Sequence, residues 1–212
     1  DDSVYVGWRL FGTDPESIGF NLYRVTDDGA PVKVNAAPIG GACNCIDRGA
    51  DARRSLEYFI RPVLDGVELD ASKASRVWDG NYIEIPVRPI AEYQPGDASV
   101  ADLDGDGEYE IVLHQVSHGR DNAHSGITGT PVLDAYKLDG THIWRVDLGI
   151  NIRDGEHYTQ FMVYDLDGDG KAEMACKTAD GTTDGIGKVI GEPDKDWRTK
   201  RKEDRAYGRV LE

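Results

Sequence analysis

Asp102, Asp104 and Asp106 stand at alternate positions of the stretch Asp102-Leu103-Asp104-Gly105-Asp106-Gly107, and the pattern returns 63 residues later as Asp165-Leu166-Asp167-Gly168-Asp169-Gly170. Three carboxylates crowded into a short turn repel one another, and a hard cation relieves that repulsion. Ca2+ is the ion expected, because it takes oxygen ligands from loop positions 1, 3 and 5, a main-chain carbonyl at 7 and an acidic side chain further on. In the first loop these are Asp102, Asp104, Asp106, the Glu108 carbonyl and Glu110. In the second they are Asp165, Asp167, Asp169, the Lys171 carbonyl and Glu173. An EF-hand opens the same way but needs a bidentate Glu at position 12 and a helix on either side. Position 12 is Leu113 in one copy and Cys176 in the other, and the acid falls at position 9. The flanks Ala98 to Val100 and Ile111 to Val116 are β-branched and lack a helical period, so each loop is expected between two strands. The competing reading is an acidic hairpin turn that holds no ion.

The elements that must position these loops follow from how far the repeat extends. Val100 corresponds to Val163 and Glu110 to Glu173, and apolar runs follow each copy, Ile111 to Leu113 and Met174 to Cys176. Beyond the first loop, Val132 to Lys137, a turn at Leu138-Asp139-Gly140, and His142 to Val146 predict a hairpin, which completes four antiparallel strands. A four-stranded unit repeating with an acidic turn between its first two strands is the pattern of a β-propeller blade. The second blade is expected to begin near Thr159. Its long period predicts functional inserted loops, and in the first of these, Ser117 to Gly126, Arg120, Asp121 and Asn122 are candidates for contact with sugar. The bland alternative is a solvated loop. Two blades are too few to close a propeller, so a longer parent chain is expected, with the charged stretch Lys195 to Arg205 exposed and open to proteases.

The N-terminal part carries no such acidic loop. Val4, Val6, Trp8 and Leu10 alternate as a half-buried strand does; Phe20, Leu22 and Arg24, then Val32 and Val34, then Tyr58, Ile60 and Val63, and finally Tyr82 to Val87 predict further strands. Turn chemistry separates them at Asp27-Asp28-Gly29, Gly40-Gly41 and Asp65-Gly66. The expectation is an all-β chain: an immunoglobulin or fibronectin III-like sandwich over residues 1–88, a Pro-punctuated linker over 89–97, and the first two, incomplete, blades of a propeller over 98–212.

Bulk properties bound the function. The chain has 212 residues, a hydrophobic fraction of 39%, 25 glycines and a net charge of −15. Such a surface repels nucleic acid and anionic membranes, and no apolar run approaches the roughly 18 residues of a membrane span. An opening at Asp1 rather than Met and low-affinity acidic loops both fit secretion into calcium-rich surroundings. Cys43 and Cys45 are poorly placed to bridge each other, and a Cys-x-Cys metal clamp there lacks two further nearby ligands. Cys176 is expected as a buried strand thiol.

With these residues in view, the chain resembles the N-terminal part of the rhamnogalacturonan lyases of polysaccharide lyase family 11. The resemblance is carried by Trp8-Arg9-Leu10, by Phe20-Asn21-Leu22-Tyr23-Arg24, and by Leu133-Asp134-Ala135-Tyr136-Lys137-Leu138-Asp139-Gly140. Its most specific part runs from His157-Tyr158-Thr159-Gln160-Phe161-Met162-Val163-Tyr164-Asp165 into Lys177-Thr178-Ala179-Asp180-Gly181-Thr182. It implies an eight-bladed propeller behind a fibronectin-like domain, several calcium ions, and β-elimination in the rhamnogalacturonan I backbone of pectin. The remaining blades of the parent are then partners of this segment, which alone is expected to be inactive. The catalytic base is not assigned. His157 and Lys177 flank the second acidic hairpin as candidates, against readings as a structural hydrogen-bond donor and a paired surface cation. Asp180 and Asp184 are candidates for a further ion or ordinary turn carboxylates. A non-catalytic calcium-stabilised propeller that binds glycan or protein is the alternative function, and a purely structural scaffold is a third.

Overall fold

The computed structural model describes residues 3–80, 82–88, 90–121, 123–155 and 157–210. Among them every regular element is a strand. The chain divides into two compact units between Ile83 and Glu84, slightly before the boundary expected from composition.

In the first unit, β1 (Val4–Gly7) pairs with β4 (Asn44–Asp47), and β2 (Gly19–Thr26) lies between β3 (Val32–Lys33) and β5 (Leu56–Leu64). The short strands β6 (Val67–Glu68) and β7 (Ser75–Arg76) also pair with β5. Val4, Leu22, Ala50, Leu56 and Tyr58 form the core. Asp47 is buried there because Arg24 Nη1 at 2.6 Å and the Tyr58 hydroxyl at 2.9 Å both donate to its Oδ2, which offsets the cost of burying a carboxylate. Two expectations are corrected, and one strand was missed. The first strand ends at Gly7, and Trp8 instead sets its ring 5.5 Å from that of Phe20. Among the described residues Tyr82 to Val87 form no strand; Pro86 lacks the donor a ladder needs. The strand through Cys45 was missed because its inward residues are not a clean apolar alternation. Cys43, Cys45 and Cys176 are free thiols, and burial pushes the Cys45 and Cys176 thiols up.

In the second unit, β8 (Gln94–Ala101), β9 (Glu110–Val116), β10 (Val132–Lys137) and β11 (His142–Asp147) form an antiparallel meander, extended past β11 by the hairpin of β14 (Thr182–Thr183) and β15 (Val189–Ile190). Because β8 begins at Gln94, the later part of the expected linker 89–97 is strand, and Pro89 lies outside the described residues. The strands β12 (Phe161–Tyr164) and β13 (Glu173–Cys176) make a separate two-stranded sheet. One face of the meander carries Val112, Leu133, Ala135 and Val146, which pack with Leu148, Ile152 and Val163 into a core that Phe161, Met174 and Cys176 complete.

The opposite face is built on Asp134, which is fully buried. Arg145 Nε and Nη2 donate to its two oxygens at 2.7 and 2.8 Å, and Gln115, Tyr136 and His142 approach at 3.1 Å. Burial alone would push this carboxyl up; the bonds from Arg145, His142 and Gln115 outweigh it and hold it below the usual carboxylate range.

Candidate functional site

Both acidic loops sit where the sequence places them, between β8 and β9 and between β12 and β13. Their internal bonding is nearly identical. Gly105 N–H donates to Asp102 Oδ1 at 2.6 Å and Gly107 N–H to Asp102 Oδ2 at 2.8 Å; Gly168 and Gly170 make the same bonds to Asp165 at 2.7 and 3.0 Å. Asp104 and Asp167 each accept from the amide two residues on, as do Asp106 and Asp169, whose donors are Glu108 and Lys171. Glu110 and Glu173 close the loops by accepting from Leu103 and Leu166 at 2.7 and 2.9 Å. Glycine at position 4 is required because the turn runs through φ of +78° at Gly105 and +80° at Gly168.

One carboxylate oxygen each from Asp102, Asp104 and Glu110, and equally from Asp165, Asp167 and Glu173, lie within 4.8 Å of one another. Each cluster could hold a metal ion, and all its donors are hard oxygens. In the first, a cation already stands on them: Lys137 Nζ lies 2.6 Å from Asp104 Oδ2 and 3.4 Å from Asp106 Oδ2. The bond to Asp104 pushes the lysine above its ordinary value, while burial pushes the Glu110 carboxyl up. The two hairpins also touch through main chain, since Ala172 N–H donates to the Asp102 carbonyl at 2.7 Å. Asp180 and Asp184 belong to no such cluster among the described residues. Asp180 accepts from Glu192 N–H and Trp197 Nε1, and Asp184 from the amides of Ile186 and Lys188, so both hold turns together.

The far end of β9 opens into a cleft of about 390 Å³ lined by residues that include Asp97, His114, His118, Arg120 and Asp121. Its floor is a buried pair that sequence reasoning missed. His114 Nε2 lies 3.1 Å from Asp154 Oδ1, and Ser117 donates through both N–H and Oγ to Asp154 Oδ2 at 2.8 Å. Ionised Asp154 can only accept, so the proton between them sits on His114 Nε2. Burial opposes ionisation of Asp154, but the bonds from His114 and Ser117 prevail and keep it below the usual range. Residues 40 apart carry no local signal of pairing; the one hint was His114-Gln115 inside an apolar strand.

Of the sugar-contact candidates, Arg120 and Asp121 line this cleft, and Asn122 lies outside the described residues. Arg120 Nη2 reaches His118 Nε2 at 3.4 Å, while its Nε is buried with no hydrogen-bond partner among the described residues. His157 joins them, with Nδ1 3.2 Å from Asp121 Oδ2. Lys177 is exposed just beyond β13 and is not among the lining residues.

A family model described as rhamnogalacturonan lyase family 11, C-terminal domain, matches residues 84–212, and one described as rhamnogalacturonan I lyases beta-sheet domain matches residues 1–78. The chain is 48% identical over 222 residues to the rhamnogalacturonan exolyase YesX of Bacillus subtilis (strain 168), a match covering 100% of this chain and 34% of that protein. The rhamnogalacturonan endolyase YesW of the same organism matches at 48% identity with the same coverage. Among solved structures, that of exotype rhamnogalacturonan lyase YesX matches with a TM-score of 0.77 at 46% identity, covering 100% of this chain and 35% of its own. The Bacillus licheniformis rhamnogalacturonan lyase PL11 matches with a TM-score of 0.75 at 46% identity, covering 100% and 36%. The chain thus spans about a third of the length of these relatives. By the family model that takes in its whole second unit, the chain belongs to rhamnogalacturonan lyase family 11.

Proposed function

We propose that this chain is the N-terminal part of a secreted lyase that cleaves the rhamnose–galacturonate bond of rhamnogalacturonan I by β-elimination. In that reading the first unit is a fibronectin III-like sandwich. The meander β8 to β11 is the first blade of a propeller, and β12 and β13 begin the second. Met162, Tyr164 and Leu166, which are 51%, 66% and 54% exposed, face the position of a following blade.

In the reaction, the C5–H bond of galacturonate breaks as a base takes the proton, a C4=C5 double bond forms, and the C4–O bond to rhamnose breaks with a proton passing to the departing oxygen. Negative charge grows on the galacturonate carboxylate, so cationic groups held close to it lower the barrier. The single observation that carries the reading is the cleft at the end of β9. It sets the guanidinium of Arg120 beside His118 in a chain of net charge −15. Arg120 there holds the substrate carboxylate, and Asp121, which also fixes His157, accepts from sugar hydroxyls. Asp154 holds His114 in one tautomer beneath them. The role is binding and orientation: His157 is tied to Asp121 and Lys177 stands off the cleft, so neither is assigned as the base.

The donor sets Asp102, Asp104, Asp106 and Glu110, and Asp165, Asp167, Asp169 and Glu173, fit Ca2+, with the carbonyls of Glu108 and Lys171 as further ligands. When bound there, the ion supplies charge neutralisation that stiffens each hairpin. Millimolar extracellular calcium suits such loops, in keeping with secretion. The test is to incubate the longer protein with rhamnogalacturonan I and follow ultraviolet absorbance of the unsaturated uronate, with and without chelator. Absorbance should rise with calcium present, and Arg120→Ala should lower kcat as well as raise KM, because the charge the guanidinium meets grows in the transition state. No rise with calcium present removes the lyase reading.

A further inference from the structure

The loop over 117–126 leaves the end of β9, yet it is held by three consecutive residues that follow β11: Arg153, Asp154 and Gly155. Asp154 is fully buried, and each of its polar groups is engaged. Its carboxylate takes His114 Nε2 and both donors of Ser117. Its carbonyl accepts from the Arg120 N–H at 3.1 Å, and its own N–H donates to Thr128 Oγ1 at 3.0 Å. One residue out of reach of solvent therefore pins the loop at its start, at Arg120 and just past its end.

Arg120 is gripped from its other side as well. A Cβ added at Gly126 would stand 3.1 Å from Arg120 Nε and 3.2 Å from its Cζ, so the guanidinium lies against bare main chain there. Gly126 is in turn held by Arg153, which is 7% exposed. Arg153 Nη1 donates to the Gly126 carbonyl and Nη2 to the His124 carbonyl at 2.6 Å, with the guanidinium 5.2 Å from the centre of the Tyr158 ring. Where the two segments cross, a side chain at Gly155 would overlap the Arg120 carbonyl oxygen, and φ there is +151°, so the crossing requires glycine. Two adjacent buried ions thus fix both the main chain of Arg120 and the wall beside its guanidinium.

The geometry points to Asp154 as a positioning residue for the cleft, one that acts on the pectic substrate through Arg120. The inference rests on the reading of Arg120 as the group that holds the galacturonate carboxylate. Asp154 and Thr128 are not among the residues that line the cleft, whereas Ser117, Arg120 and Gly155 are. A long side chain on an unrestrained loop loses conformational freedom when it binds, and that loss weakens binding. Pinning the loop beforehand removes the cost and keeps the guanidinium in place as charge grows on the substrate.

The test compares the longer protein with Asp154→Asn, Thr128→Val and Thr128→Ser, the first two also combined with Arg120→Ala. It reads kcat and KM on rhamnogalacturonan I together with amide hydrogen exchange. Asp154→Asn keeps the side chain's shape but can no longer accept at both oxygens. It should lower kcat/KM about tenfold or more, the scale of a slightly misplaced binding group. Exchange at Ser117 and Arg120 should accelerate while the amides of β10 keep their protection. Where Arg120 is already alanine, the same change should cost less than about twofold, because it acts through the group that is gone. Thr128→Val removes one bond from the same hub and should shift every readout in the same direction by less, and Thr128→Ser should restore it, so a folding defect in Asp154→Asn does not decide the outcome. Equal losses with and without Arg120, or unchanged exchange at Arg120, overturn the positioning role while leaving the lyase reading intact. No unsaturated product from the unaltered protein overturns both.

Discussion

The two acidic hairpins of the second unit are nearly the same object in sequence and in internal hydrogen bonding, yet they stand in different surroundings. The first is one edge of a meander whose next strand brings Lys137 onto its carboxylates, over a buried Asp134 network on the reverse face. The second pairs with no further strand among the described residues. The ligands of each loop come from nine consecutive positions, whereas the counter-charge of the first comes from a neighbouring strand.

That contrast can be broken by attacking the strand that creates it. Asp134→Ala leaves Arg145, His142 and Gln115 without their acceptor and should cost about 3 kcal/mol, near the lower end for a broken buried pair because Arg145 keeps some access to water. Urea unfolding followed by tryptophan fluorescence measures it, and a loss below about 1 kcal/mol would show that β10 does not depend on the network. A smaller effect is expected at the loops. Asp102→Ala removes a carboxylate that accepts from Gly105, Asp106 and Gly107, Asp165→Ala one that accepts from Gly168 and Gly170. The first should cost about 2 kcal/mol in metal-free protein and the second somewhat less; thermal unfolding in chelator ranks them.

Acid sharpens the comparison further. Asp134 and Asp154 both have carboxyls depressed in the folded state. Their stabilisation is complete above the unfolded value of about 4 and is lost as pH falls through the depressed folded values. The urea midpoint should therefore drop on the acid side, and Asp154→Asn should flatten that drop. The smallest change expected is at the turns themselves. Gly168→Ala meets no atom within 4 Å and pays only for its positive φ, about 1 kcal/mol. Gly105→Ala should cost slightly more because the Lys171 stem must shift, and equal losses would mean that this contact carries no weight.

How much of this was legible in the sequence follows the same division. The acidic loops, their flanking strands and the hairpin from Val132 to Val146 could be read because their signals are local: alternating carboxylates, β-branched flanks, a Leu-Asp-Gly turn. Lys137 was visible only as part of a strand, since its place opposite Glu110 depends on register. The His114, Ser117 and Asp154 cluster was invisible for the same reason. Asp180 and Asp184 show the reverse case, in which acidity suggests an ion and the structure shows turn contacts, backbone amides at both and the Trp197 indole at Asp180. Tyr82 to Val87 looked extended by alternation, but alternation alone provides no partner to pair with.

The bond from Ala172 N–H to the Asp102 carbonyl has a consequence for how such a chain folds. It ties the closing residues of one repeat to the opening residue of the repeat before it, which is the nearest-neighbour term that makes repeat proteins cooperative. Each hairpin therefore templates the next, and fraying at the second removes a restraint from the first. The Ala172 amide should exchange with solvent deuterium only as fast as that coupled unit opens.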